Sequence, residues 1–133
     1  IKSFVFFAGN NPIVLPVIPT DTIWTKDYIH VTVTYDSVST MAKLYLDGKL
    51  ISERAVPFGG PFNADTDSAS NYYFGASNRL EERFHGYMDE VRLWKKALTF
   101  DEVQKTFDRY LVGQDNDLVL YYRFNENDNA NYD

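Results

Sequence analysis

In "MAKLYLDGKLISER" (41–54), Asp47 and Gly48 stand between two runs of alternating apolar and polar side chains. An Asp-Gly loop of two residues accepts the positive φ angles of a type I′ turn, so this stretch is predicted to be a β-hairpin. "YIHVTVTYD" (28–36) alternates just before it, with Ile29, Val31, Val33 and Tyr35 on one side and His30, Thr32 and Thr34 on the other. "SFVFFAG" (3–9), "YYFGAS" (72–77), "GYMDEVRLW" (86–94) and "LVLYYRFN" (118–125) also have the character of strands. Tyr and Phe, ten each, suit such pleated, half-buried surfaces. Between the strands, "VPFGGPFNADTDSASN" (56–71) is rich in Gly, Pro, Asp, Asn and Ser and is predicted to be a long surface loop.

One helix is expected, over about 99–111. Thr99 and Glu102 make a T-x-x-E capping box, with Leu98 and Val103 at the flanking staple positions. Val103, Phe107, Tyr110 and Leu111 continue at helical spacing, and Gly113 supplies a stop.

The chain has 133 residues, 44% of them hydrophobic, which is enough for one core. A net charge of -6 with scattered basic residues argues against a nucleic-acid partner. The absence of cysteine removes disulfides, thiolate zinc sites and thiol nucleophiles. "NPIVLPVIP" (11–19) is cut by three prolines and is much shorter than the roughly 20 residues of a membrane span, so no membrane insertion is expected.

The stretch "FHGYMDEVRLWKKALTFDEVQ" (84–104) poses a physical problem. Strict alternation puts Met88, Glu90, Arg92 and Trp94 on one face and Tyr87, Asp89, Val91 and Leu93 on the other, so neither face is purely apolar. An unpaired carboxylate in a core costs several kcal/mol, at order of magnitude, or is neutralised. A β-bulge at Asp89–Glu90 would turn Met88 and Val91 inward and release one acid to accept backbone N–H groups, a cation or Arg92. The two outcomes are a structural ion pair and a metal ligand.

The succession "YIHVTVTYD", "KLYLDGKLI", "YYFGAS", "FHGYMDEVRLWKKALTFDEV" resembles the laminin-G-like jelly rolls of the concanavalin A-like superfamily, to which the pentraxins belong. The resemblance covers residues 28–110, with Tyr28 standing where that family usually has Trp. It implies an all-β fold, a two-sheet antiparallel jelly-roll sandwich with one short C-terminal helix, usually extracellular or at the cell surface. Such domains open with further strands that do not precede Ile1, so residues 1–133 are expected to be a single sandwich domain lacking its N-terminal strands. Residues 114–133 are either its terminal strand, folding back after the helix, or the start of a following domain. Packing favours the first, since Leu118, Leu120, Tyr122 and Phe124 would otherwise expose an apolar edge.

Enzymatic motifs are not found: there is no G-x-S-x-G elbow, P-loop or H-E-x-x-H. "MDEVRLW" lacks the paired-carboxylate spacing of glycosidases on this fold. Calcium is the cofactor considered. Asn63, Asp65 and Asp67 copy the start of an EF-hand loop, but Ser68 and Phe74 occupy the positions of its Gly and Glu. By the resemblance, Ser77, Asn78 and Arg79 stand where pentraxins carry the acidic calcium ligands that follow this strand, so that ligand set is not reproduced. A structural ion between the first and last strands would use Asp89, Glu126 and Asp133. Trp24, Tyr72 and Tyr73 are the aromatic candidates for stacking on a glycan. The expected function is a non-catalytic carbohydrate-binding or adhesion module of a larger extracellular or cell-surface protein, its partners a glycan or surface protein and neighbouring domains of a longer chain. The alternatives are a spacer domain without its own ligand and a fragment of a glycoside hydrolase.

Overall fold

The computed structural model describes residues 2–8, 11–17, 26–56, 73–76, 83–113 and 115–124. Every strand pairing in it is antiparallel. Strands β1 (Lys2–Ala8) and β2 (Asn11–Val17) form one ladder; β3 (Val31–Asp36), β4 (Met41–Leu46) and β5 (Lys49–Ala55) form the second, in that order; β6 (Val91–Trp94) and β7 (Leu118–Tyr122) form the third. Among the described residues one helix forms, α1 (Phe100–Thr106), between β6 and β7 in the chain. This is the strand-dominated, one-helix composition of a jelly-roll sandwich.

The hairpin forms where it was expected. Asp47 and Gly48 have φ of +46° and +75°, the positive pair that a type I′ turn requires. The Asp47 carboxylate then reaches back across the turn: Oδ1 accepts the His30 N–H at 3.0 Å, while the Asp47 N–H donates to the His30 carbonyl at 2.9 Å. Lys26 pairs with the other carboxylate oxygen. The turn residue thereby anchors the segment leading into β3.

Strand β4 buries apolar side chains on both faces, so it lies at the centre of the packing. Ala42, Leu44 and Leu46 meet Ile13 and Leu15 of β2, with Ile29, Val33, Tyr35, Ile51 and Val56 around them. From the opposite face Tyr45 packs on Leu98, Val103 and Trp94 beneath the helix. Burying one such side chain contributes about 1.5–3 kcal/mol.

Strand β2 is a stretch in which the prolines had suggested interruption. Pro12 pairs with Phe7 and Pro16 with Ser3. Backbone N–H direction alternates along a strand, so prolines four apart present their nitrogens to the same edge, and β2 has no described partner beyond β1. The ladder to β1 is thereby preserved, while Ile13 and Leu15 keep the parity that enters the core.

Two other expectations change. Of "YYFGAS", the described residues 73–76 make an isolated bridge, Ala76 with Arg83, rather than a strand, and "GYMDEVRLW" is strand only from Val91. The helix begins as expected, with Thr99 Oγ1 accepting the Glu102 N–H at 3.3 Å and Glu102 Oε2 accepting the Thr99 N–H at 2.8 Å, but it ends at Thr106 with Phe107 as C-cap rather than reaching 111. Leu98 and Val103 are both buried, as the staple requires.

The helix lands on the hairpin. Gln104 Nε2 donates to the Gly48 carbonyl, and a Cβ added at Gly48 would stand 2.8 Å from both that nitrogen and the Phe107 ring. Gly113, with φ +92°, has nothing within 4 Å of such a Cβ. Gly48→Ala therefore adds a steric cost to the cost of a positive φ, about 1–2 kcal/mol, that Gly113→Ala incurs alone. Urea unfolding of the two variants is expected to place Gly48→Ala clearly lower; equal midpoints would contradict the close approach of α1.

Candidate functional site

The acid pair ahead of β6 resolves into two unlike residues. Asp89 is exposed, and its Oδ1 accepts the N–H of Glu90 at 2.8 Å. Glu90 takes the left-handed conformation, φ +53°, and folds its side chain inward to 17% exposure. There Oε2 accepts from Arg92 Nη2 at 3.0 Å and from the Tyr121 hydroxyl on β7, and Oε1 lies 3.5 Å from Arg123 Nε. The expected bulge is not at this pair. The ladder shifts instead between Leu93 and Trp94, where Val119 is the extra residue on β7, and Met88 stays 39% exposed rather than turning inward.

Arg92, 7% exposed, is the partner that matters most. Its Nη1 donates to the Thr106 carbonyl at 2.7 Å and its Nη2 to the Arg109 carbonyl at 2.6 Å. Those carbonyls belong to the end of α1 and the turn after it, where backbone acceptors lack helical donors. The guanidinium also lies 5.2 Å from the Tyr121 ring centre, its cross-strand neighbour. One planar cation thus ties β6, β7 and the helix end together, with the carboxylate of Glu90 balancing its charge.

The ionisation of these groups follows from their surroundings. Burial pushes the Glu90 carboxyl up, but the hydrogen bonds from Tyr121 and Arg92, with the charges of Arg92 and Arg123, outweigh it and hold Glu90 below the usual range. His30, edge-on to Phe107 with ring centres 6.1 Å apart, is pushed down by burial first and by the Arg92 charge second, against the pull of Asp47. Glu102 is lowered to about 2 by the hydrogen bond from Lys96 and then by the Thr99 N–H.

Of the aromatic candidates, Tyr73 is exposed, while Trp24 and Tyr72 lie outside the described residues. Tyr73 has company. The Phe84 N–H donates to the Gly75 carbonyl at 2.7 Å and joins segments 73–76 and 83–88, and Gly75 lies against Phe84 and Met88. Tyr73, Phe84 and Tyr87, in these two adjoining segments, are 48%, 55% and 87% exposed. For the metal set, Glu126 and Asp133 also lie outside the described residues, and no three His, Asp or Glu side chains gather among those described. Residues 63–71, including the EF-hand-like stretch, and 77–79 lie outside them too.

A second feature was missed from sequence. Trp94 lines an open cleft of about 460 Å³ with Leu111 and the turn Asp115, Asn116 and Asp117. The only sequence signal is a polar D-N-D turn before a strand; its approach to Trp94 follows from the pairing of Trp94 with Leu118.

Comparison with known proteins now bears on the class. Residues 4–104 match the model of the concanavalin A-like lectin/glucanases superfamily, and the chain belongs to that family. The C-reactive protein of Xenopus laevis is 32% identical over 96 residues, 69% of this chain and 38% of that protein. Pappalysin-1 of Mus musculus is 32% identical over 76 residues, 57% of this chain and 4% of that protein. The chain therefore spans well under half the length of these relatives. Among solved structures, a Bacteroides ovatus protein proposed to bind carbohydrate superposes with a TM-score of 0.62 at 26% identity, covering 86% of this chain and 32% of that one. Among the described residues, no helix is long and apolar enough to cross a membrane.

Two outcomes are expected. Arg92→Ala leaves Glu90 with only the half-exposed Arg123 as a cation and strips the helix-end carbonyls of their donor, and is expected to lower unfolding stability by about 3 kcal/mol, the low end of the range for a broken buried pair, much of it recovered in Glu90→Gln/Arg92→Met; a loss under about 1 kcal/mol in urea unfolding would show the pair to be peripheral. In pH, His30, Glu90 and Glu102 have folded values below their unfolded ones, so their stabilisation is complete above the unfolded values and lost on acidification. Urea midpoints should start to fall below about 6.5, through His30, and fall again below about 4.5, through Glu90 and Glu102. Glu102→Gln should flatten the lower limb; an unchanged limb would contradict the assignment.

Proposed function

We propose that the chain is a non-catalytic carbohydrate-binding module of a larger extracellular or cell-surface protein. The observation that carries this is the aromatic surface of Tyr73, Phe84 and Tyr87. Aromatic rings offer flat apolar faces with few rotatable bonds, and sugar rings present matching C–H faces. Family membership and the carbohydrate role proposed for the Bacteroides ovatus relative support a glycan as the occupant. The inward acid, Glu90, is engaged by Arg92 and Tyr121, which makes it a member of the scaffold rather than a general acid. In this proposal β7 belongs to the domain, since it pairs with β6 and supplies Tyr121.

A glycan array is expected to show retention of at least one glycan class, with no turnover of that glycan on prolonged incubation. Tyr87→Ala, at a side chain 87% exposed, should leave stability within about 0.5 kcal/mol and weaken binding about tenfold, or about 1.4 kcal/mol. Retention of no glycan would leave the spacer role; release of shortened sugars would restore the hydrolase alternative.

A structural calcium ion on Asp89, Glu126 and Asp133 is a separate proposal. A ligand bound only to the folded state raises the melting temperature. Calcium added after chelation should therefore raise it, and an unchanged melting temperature would remove the ion from the account.

A further inference from the structure

From the cleft beside Trp94 we infer a second contact site on the same domain, one that takes a single neutral or amino pyranose unit. The choice of a sugar rests on the carbohydrate-binding proposal; the site itself rests on its own geometry. The cleft, about 460 Å³, is open to solvent, so it would hold one face of a small ligand rather than enclose it. Trp94 is half-buried and braced from within by Tyr45, Leu98 and Val103, so the indole has a fixed position and little freedom to lose on binding. Among the described residues no acceptor engages its indole N–H, and that nitrogen is not among the sealed, unsatisfied polar atoms, so it is open to a hydroxyl acceptor.

The polar side of the cleft is equally well fixed. Asp115 Oδ1 accepts the Asp117 N–H at 2.9 Å, and the Asp115 carbonyl accepts the Leu118 N–H at 3.0 Å. The Lys95 N–H donates to the Asp117 carbonyl at 2.9 Å, fastening the turn to the end of β6. Side chains of Lys95 and Lys96, at 3.7 and 3.4 Å, balance the Asp117 carboxylate. No ion pair among the described residues reaches Asp115, which lines the cleft next to Asn116 and has one carboxylate oxygen, Oδ1, engaged by the Asp117 N–H. A ring with one apolar face and several hydroxyls meets these requirements: the indole takes the face, and Asp115 and Asn116 take the hydroxyls. The uncompensated Asp115 excludes uronic and sialic acids through like-charge repulsion.

The test is NMR of the isotope-labelled chain, following the Trp94 indole N–H, which Trp94→Phe identifies against that of Trp24. The probes are the methyl pyranosides of glucose, galactose, mannose, N-acetylglucosamine and glucuronic acid. At least one neutral probe should shift the signal saturably, in the wild type and equally in Tyr73→Ala/Tyr87→Ala, whereas Asp115→Ala/Asn116→Ala should weaken the response tenfold or more. The glucuronide should give no saturable shift. Absence of any response in the wild type, an undiminished response in Asp115→Ala/Asn116→Ala, or equal response to the glucuronide would each overturn the site. Array binding that depends on Tyr87 would meanwhile stand untouched, so failure of the cleft and failure of the carbohydrate-binding reading are separable.

Discussion

The guanidinium of Arg92 is the point on which the C-terminal half of the domain depends. A helix of seven residues cannot hold itself together in water, because nucleation is unfavourable and so few hydrogen bonds follow it. Here each end is secured from outside its own ladder: the capping box and its lysine at the start, and Arg92 at the finish. The cation is tolerable in its buried position because Glu90 offsets its charge and Tyr121 satisfies the same carboxylate oxygen. Removing any of the three exposes the other two to the cost of burial.

The hairpin at Asp47–Gly48 plays the complementary part in the other half. Its glycine admits both the turn and the flank of α1, and its aspartate fastens His30 at the head of β3. Since β4 sends Leu44 toward β2 and Tyr45 toward α1, one strand joins two apolar clusters that would otherwise be independent. The exposed aromatic side chains and the opening beside Trp94 lie at the margin of this frame. The aromatic surface rises from segments joined by a short bridge, and the Trp94 cleft opens where β6 and β7 end. Neither requires the frame to move.

Local chemistry made much of this legible in the residues themselves. Asp-Gly specifies its turn through backbone angles, T-x-x-E specifies a helix start through four neighbouring residues, and a carboxylate beside an aliphatic strand demands a partner wherever it falls. What could not be read was set at a distance. Which acid turns inward depends on Tyr121, thirty-one residues beyond Glu90. The helix stops early because a strand side chain, Arg92, takes the carbonyls of Thr106 and Arg109, although Tyr110 and Leu111 keep the helical spacing. Pro12 and Pro16 looked like interruptions until their common parity and the identity of their neighbour were known. The cleft escaped notice for the same reason: Trp94 and Asn116 become neighbours only through the pairing of β6 with β7.

Native-state hydrogen exchange tests the central role of Arg92 most directly. If the guanidinium couples the elements, the hydrogen-bonded amides of α1, β6 and β7 should open together, with one shared free energy that falls by the same amount in Tyr121→Phe. Separate opening of the helix, with β6 and β7 unaffected, would contradict the account.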